Sequence, residues 1–265
     1  MNVVGVIPVR YGSTRFPGKA LAKLNGIPLI QHVYEQAKQA QQLDEVIVAT
    51  DDERIAATVG RFKGRAVMTS TNHRSGTDRI AEVARALDAQ VIINIQGDEP
   101  LIRPEQIDQV AQFLLAHRAV PMATLMTKLV RCEDVASPNV VKLVVDQDGY
   151  ALYFSRAPIP HVRVQGGSKP QASSSKSEDS PAACSLQPAA WYKHIGLYGY
   201  QRYFLLQFPH LSAAPLEQFE QLEQLRALEH GYKIKVLETP HDPIGVDTPE
   251  DLQRVEAWLQ KAEVR

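Results

Sequence analysis

An α/β fold with a mostly parallel sheet is predicted by three features of the sequence. Apolar runs of strand length alternate with amphipathic helical segments through the first part of the chain. The run at 91–95 is apolar throughout but for Asn94, as a strand covered on both faces requires. Pro104 stands where a helix would open, a position that tolerates its missing N–H. At 265 residues with 44% hydrophobic content the chain can bury a full core. A single domain over 1–265, carrying a β-rich insertion, is the simplest organisation.

Each element follows in order. Residues 3–9 read as a short buried strand. Residues 28–42 read as a helix, with Leu29, Ile30, Val33, Tyr34 and Ala37 at helical spacing. A second strand at 45–50 and a short helix at 52–62 come next. The helix at 77–87 places Ile80, Val83, Ala84 and Leu87 on one face. In the middle, 140–145 and 150–154 flank Asp146-Gln147-Asp148-Gly149, the pattern of a β-hairpin. Residues 165–190 are rich in Ser, Gly and Pro and poor in apolar side chains, the composition of a flexible surface loop. Order resumes with a strand at 192–201, a long helix at 216–230, a strand at 233–238 and a last helix after Thr248.

Composition excludes several classes. Lys+Arg 29 against Asp+Glu 30 leaves a formal net charge of −1, so there is no general pull toward nucleic acid or an anionic membrane. Any anionic ligand needs a local cluster of cations. Two cysteines, Cys132 and Cys184, cannot form a disulfide framework or a cysteine zinc site, and fit a reducing compartment. The apolar start is too short for a signal peptide's core or a membrane span. A soluble cytoplasmic protein is expected.

Four constellations can carry chemistry. The turn after the first strand, Arg10 to Lys19, holds three cations, Ser13, Thr14 and two glycines in ten residues. Ligands of open α/β sheets bind beyond the carboxyl ends of the strands, which is where this turn lies. Backbone N–H groups at glycines, with Arg and Lys charge, suit a polyphosphate. The spacing is not that of a P-loop: five residues separate Gly12 from Gly18, and Ala20 stands where Ser or Thr is needed. A solvated basic turn is the plain alternative.

Gln96-Gly97-Asp98-Glu99-Pro100 follows the strand at 91–95 directly. A carboxylate at the end of a buried strand is costly unless it meets a cation, so Asp98 is a candidate Mg²⁺ ligand; a turn acid is the alternative. Gly245 to Asp251 is the third constellation. Thr248 and Pro249 suit the cap and first position of the last helix, while Asp247 need not serve that cap and can supply a second acidic ligand. The fourth is dispersed: Arg74-Ser75-Gly76-Thr77-Asp78-Arg79 before a helix, Arg156, His194 with Tyr198, and Glu223-Gln224. Ser75 reads equally as an N-cap, His194 as a structural histidine, and Glu223-Gln224 as helix surface. From the residues alone the reading is a Mg²⁺-dependent handler of polyphosphate.

Taken together, these segments resemble the 3-deoxy-manno-octulosonate (Kdo) cytidylyltransferases, the CMP-Kdo synthetases. The resemblance is carried by Ile7-Pro8-Val9-Arg10, Ser13-Thr14-Arg15 and Pro17-Gly18-Lys19, then Gln96 to Pro100, 149–156, 194–200, 215–226 and 245–252. It implies a nucleotide-diphospho-sugar transferase fold, Rossmann-like, and the reaction of CTP with Kdo to give CMP-Kdo and pyrophosphate. It further implies that Arg10, Ser13, Arg15 and Lys19 hold the triphosphate, and that Pro8, Arg74, Ser75 and Gly76 lie around the cytidine. Asp98 and Asp247 would ligate Mg²⁺. Gln96, Arg156, His194, Tyr198, Glu223 and Gln224 would bind Kdo, with Arg156 on its carboxylate. Arg10, Arg15, Lys19, Asp98 and Asp247 would form the catalytic set. A homodimer is implied, as is a product that feeds lipopolysaccharide. Cytidylyl transfer to an 8-amino variant of Kdo or to sialic acid, and a catalytically silent nucleotide binder, are the competing readings.

Overall fold

The structure is a computed structural model describing residues 1–12, 16–162 and 191–263. Ser13, Thr14, Arg15 and the stretch 165–190 read as a loop lie outside the described residues. The chain runs β1 (Val3–Val9), β2 (Lys23–Leu24), β3 (Ile27–Pro28), α1 (Leu29–Lys38), β4 (Glu45–Thr50), α2 (Glu53–Arg61), β5 (Arg65–Met68), α3 (Gly76–Arg85), β6 (Val91–Asn94) and α4 (Pro104–Ala116). It continues with β7 (Met122–Lys128), α5 (Cys132–Ala136), β8 (Lys142–Val145), β9 (Ala151–Ser155), β10 (Tyr192–Gln201), α6 (Arg202–Gln207), α7 (Pro215–Glu220), α8 (Gln224–Glu229), β11 (Ile234–Glu238) and α9 (Pro249–Glu263).

Two compact units form, one of Met1–Thr124, Gly196–Leu211 and His241–Arg265, the other of Leu125–Ile195 and Ser212–Pro240.

In the first unit β1 pairs in parallel with both β4 and β6, and β4 in parallel with β5. The C-terminal half of β10 closes on β6 in antiparallel register, Tyr198 opposite Asn94. Val3, Val4, Val6 and Ile7 of β1 are all fully buried. Each such aliphatic side chain contributes about 1.5–3 kcal/mol through the water it sheds. Side chains start the helices where the sequence places acceptors. The Asp52 carboxylate accepts from the Arg54 amide at 2.9 Å to cap α2, and Ser75 Oγ accepts from the Asp78 amide at 3.1 Å to cap α3. Pro104 opens α4 as expected.

In the second unit β8 and β9 form the predicted hairpin, and β8 also pairs with the start of β10. One expectation is corrected here. The helix expected at 216–230 is broken into α7 and α8, with Gln221 in the left-handed region at φ 52°. Cys132 is the first residue of α5, and Cys184 lies outside the described residues. β7, which the apolar pattern did not reveal, is buried along almost its whole length.

Candidate active site

A pocket of about 350 Å³ opens in the first unit beyond the C-terminal ends of β1 and β6. That is where an open α/β sheet places its ligands, because successive strands end there and loops diverge. Of the residues expected around a nucleotide, Pro8, Arg10, Lys19, Arg74, Ser75 and Gly76 all line it. Gln96, Asp98 and Asp247 complete the wall. Segments more than two hundred residues apart in sequence thus meet around one cavity.

Two glycines make this geometry possible. Gly18 adopts φ +72°, and its amide donates to the Tyr11 carbonyl at 3.0 Å, closing the turn before Lys19. A side chain there would press on the Tyr11 ring at 3.2 Å. The Arg54 guanidinium stacks on that ring, 3.4 Å from its centroid, and so braces the turn from α2. Gly97 lets the chain leave β6 close to β1: a Cβ would stand 2.9 Å from Val9 Cγ2.

The acidic pair is built by the backbone. The Val246 amide donates to the Asp98 carbonyl at 2.8 Å, which brings the segment of Asp247 alongside that of Asp98. Helix capping is left to others: Thr248 Oγ1 accepts from the Asp251 amide at 3.2 Å, and Asp251 Oδ2 accepts from the amides of Asp247 and Thr248, both at 3.0 Å. The Asp247 carboxylate is therefore not committed to the cap. Lys19 Nζ donates to Asp98 Oδ2 at 2.7 Å and to Asp247 Oδ1 at 3.2 Å. The Lys19 side chain is 16% exposed, against 31% for Asp98 and 45% for Asp247. Both acids keep oxygen surface open to a ligand, while the amine lies deeper.

These donors fit Mg²⁺. The ion commonly takes one or two carboxylates and completes its shell with phosphate oxygens and water. Among the described residues no cluster of three or more His, Cys, Asp or Glu side chains stands ready to hold a metal without such help.

The remaining sugar-site candidates divide. Gln96 Nε2 donates to the Gly196 carbonyl at 3.0 Å, and Tyr198 sits in β10 opposite Asn94; both belong to the first unit. Arg156, His194, Glu223 and Gln224 belong to the second. There, Arg156 Nε donates to the Glu220 carbonyl at 2.7 Å, Nη1 to that of Pro138 at 2.9 Å and Nη2 to that of Gln221 at 3.4 Å. The guanidinium thus rests on the junction of α7 and α8, where Glu223 precedes and Gln224 begins α8. Gln224 is 4% exposed, and its Nε2 has no acceptor among the described residues. A buried amide donor of that kind is satisfied by a ligand oxygen at little further desolvation cost. His194 packs edge-on against Phe154, and burial, with Lys193 nearby, pushes its imidazole down to about 3. It is neutral at physiological pH.

The chain matches the family described as cytidylyltransferase over residues 4–234. It belongs to the cytidylyltransferase family. Among its relatives in that family, the 3-deoxy-manno-octulosonate cytidylyltransferase of Geotalea uraniireducens is 53% identical over 261 residues, 98% of this chain and 100% of that protein. The protein of the same name from Geobacter metallireducens is 49% identical over 264 residues, covering 100% of both. A solved CMP:2-keto-3-deoxy-manno-octonic acid synthetase complexed with CTP is 40% identical, superposes with a TM-score of 0.86, and is matched over 99% of this chain and 100% of its own. The 4-diphosphocytidyl-2C-methyl-D-erythritolsynthase of Anaerococcus prevotii, 14% identical with a TM-score of 0.60 over 98% of this chain and 96% of its own, shares the fold.

For this cytidylyltransferase family member, sequence reasoning missed one pocket residue, His73, and gave no role to another, Arg79. Arg79 lines the cavity although it is only 4% exposed; it donates to Asp51 Oδ2 at 2.7 Å and to the Thr69 hydroxyl. The signal was present, since Arg79 falls four residues before Val83 on the buried stripe of α3, where a cation needs a reason. His73 also lines the pocket, its ring hydrogen-bonded to Glu82. No pattern in the sequence singles it out.

Proposed function

We propose that this protein transfers the cytidylyl group of CTP to Kdo, giving CMP-Kdo and pyrophosphate. The observation that carries the reading is the convergence of Arg10, Lys19, Arg74, Asp98 and Asp247 on one pocket at the strand ends. The 53% and 49% identities to Kdo cytidylyltransferases along essentially the whole chain support the choice of both substrates.

Arg10 and Lys19, with Ser13 and Arg15 of the same turn, hold the triphosphate and neutralise charge that grows on the departing pyrophosphate. Pro8, Arg74, Ser75 and Gly76 frame the cytidine. Asp98 and Asp247 would hold Mg²⁺, which when bound would lower the proton affinity of the sugar hydroxyl and offset phosphate charge. Gln96, Arg156, His194, Tyr198, Glu223 and Gln224 bind the sugar acid, Arg156 using N–H donors beyond the three engaged by backbone carbonyls. The anomeric oxygen bonds to the α-phosphorus, the bond from that phosphorus to the bridging oxygen breaks, pyrophosphate leaves, and the hydroxyl proton passes to solvent. Positioning and electrostatics supply most of the acceleration, with no covalent enzyme intermediate. No described helix is long and apolar enough to cross a membrane. A cytoplasmic homodimer is the working assembly in this reading.

The test is pyrophosphate release with CTP and Mg²⁺, supplying Kdo, 8-amino-Kdo or sialic acid in parallel. Release with Kdo in preference to the others is the expected result. Preference for another acid moves the acceptor, and silence with all three removes the transferase reading.

A further inference from the structure

The second unit contains a fully buried lysine that the reaction as described does not use. Lys142, the first residue of β8, is 0% exposed. Its Nζ donates to the carbonyls of Arg156 at 2.5 Å, Val140 at 2.6 Å and Ser137 at 2.7 Å. All three ammonium donors therefore end on backbone oxygen. A buried ammonium is expensive, and a methionine would fill similar space without that cost. Its place here calls for something that only a directed cation provides.

What it grips is the main chain of Arg156. The opposite side of the same residue is held by Glu220: Oε2 accepts from the Arg156 amide at 2.8 Å, and Oε1 accepts from the Ser155 hydroxyl at 2.6 Å. Ser155 Oγ in turn accepts from the Ala157 amide at 3.0 Å. A cation on the carbonyl and a carboxylate on the amide leave the Arg156 peptide little freedom. The guanidinium is then aimed by the carbonyls of Pro138, Glu220 and Gln221. Two of the anchors repeat along the chain, since Ser137 beside Pro138 is bound by Lys142 and Glu220 supplies both carboxylate and carbonyl.

We propose that Lys142 is a positioning residue for the sugar acid, fixing the Arg156 backbone, with Glu220 as counter-grip, so that the guanidinium meets the substrate carboxylate. This rests on the functional reading above. A site whose binding group sits on a loop after a strand gains affinity when that group is held before the ligand arrives.

The experiment measures steady-state pyrophosphate release by the full-length chain, varying Kdo and CTP separately, for the parent, Lys142→Met, Arg156→Ala and the double variant. Lys142→Met should raise KM for Kdo about tenfold or more and leave KM for CTP near the parental value. In the Arg156→Ala background Lys142→Met should add little, because its effect passes through a group already removed. A role confined to holding the hairpin together would lower the unfolding temperature and add to the Arg156→Ala loss. Glu220→Gln, which keeps one acceptor but loses the charge, is read the same way should Lys142→Met not fold, and should raise KM for Kdo in the same selective manner. Unchanged KM for Kdo, or equal changes for both substrates, overturns the inference while parental turnover leaves the functional reading standing. Absence of parental turnover with CTP and Kdo overturns that reading, and this inference with it.

Discussion

Lys19 Nζ lies 2.7 Å from Asp98 Oδ2, and the same amine reaches Asp247 Oδ1 at 3.2 Å. One cation thus ties together the turn after β1, the segment after β6 and the approach to α9. Asp98→Asn and Asp247→Asn should each lower pyrophosphate release with saturating CTP and Kdo by roughly a hundredfold or more, the scale of losing one electrostatic contact to a reacting phosphate. Folding should be retained, since both acids are partly exposed and neither caps a helix through its side chain. Titrating Mg²⁺ should show a raised requirement in either variant. An Asp98→Asn enzyme as fast as the parent would take Asp98 out of the chemistry.

The cap of α9 separates structure from function. Thr248→Ala removes the acceptor for the Asp251 amide and should cost about 1 kcal/mol of stability with turnover kept. Asp251→Ala releases the amides of both Asp247 and Thr248. It should cost a similar amount of stability and also reduce turnover, because the segment bearing Asp247 is no longer held. Denaturant unfolding alongside initial rates makes the comparison; equal kinetic effects from the two variants would contradict it.

Gly97→Ala introduces a Cβ 2.9 Å from Val9 Cγ2 and 3.4 Å from the Pro8 carbonyl. The sheet cannot open there cheaply, since β1 is hydrogen-bonded on both sides. The expected cost is roughly 1–3 kcal/mol, with a drop in kcat as Asp98 is displaced. An unfolding midpoint equal to the parent's would show that Val9 gives way freely.

His194 makes the second unit sensitive to acid. Its folded imidazole takes a proton only near pH 3, whereas the unfolded one does so near 6.5. Between these values the unfolded chain binds more protons, so stability falls as pH falls, at up to about 1.4 kcal/mol per pH unit from this group. His194→Gln, neutral throughout, should flatten the decline in urea midpoint between pH 6.5 and 4. A parallel decline in parent and variant would assign the acid sensitivity elsewhere.

Much of this architecture was legible before the structure. β1, β4 and β10 begin and end where the sequence reading puts them, and Ser75, Pro104 and Thr248 occupy the helix-start positions their chemistry suggests. β7 was not legible. Met122 to Thr127 is buried throughout, so it shows no alternation of period two, and its Met, Ala and Thr content does not separate strand from helix. The residues of the pocket were mostly named in advance, because cations, glycines and acids at strand ends carry their own chemical signal. Arg79 was given no role and His73 was missed because each joins the cavity through a partner, Asp51 or Glu82, that only folding supplies.

By itself the sequence determined the alternation of strand and helix, the cations and glycines of the strand-end loops, and the two acids to which the proposed function gives a metal. Tertiary structure decided which of these meet. Asp98 and Asp247 stand together because the Val246 amide finds the Asp98 carbonyl, a bond no local pattern encodes. The stretch 216–230 reads as one helix because Leu, Glu and Gln all favour helix. It is two helices because the carbonyls of Glu220 and Gln221 turn to the Arg156 guanidinium, while Gln221 takes a left-handed conformation. Local propensities are worth tenths of a kcal/mol per residue, roughly, and a charge-assisted hydrogen bond from a distant strand outweighs them.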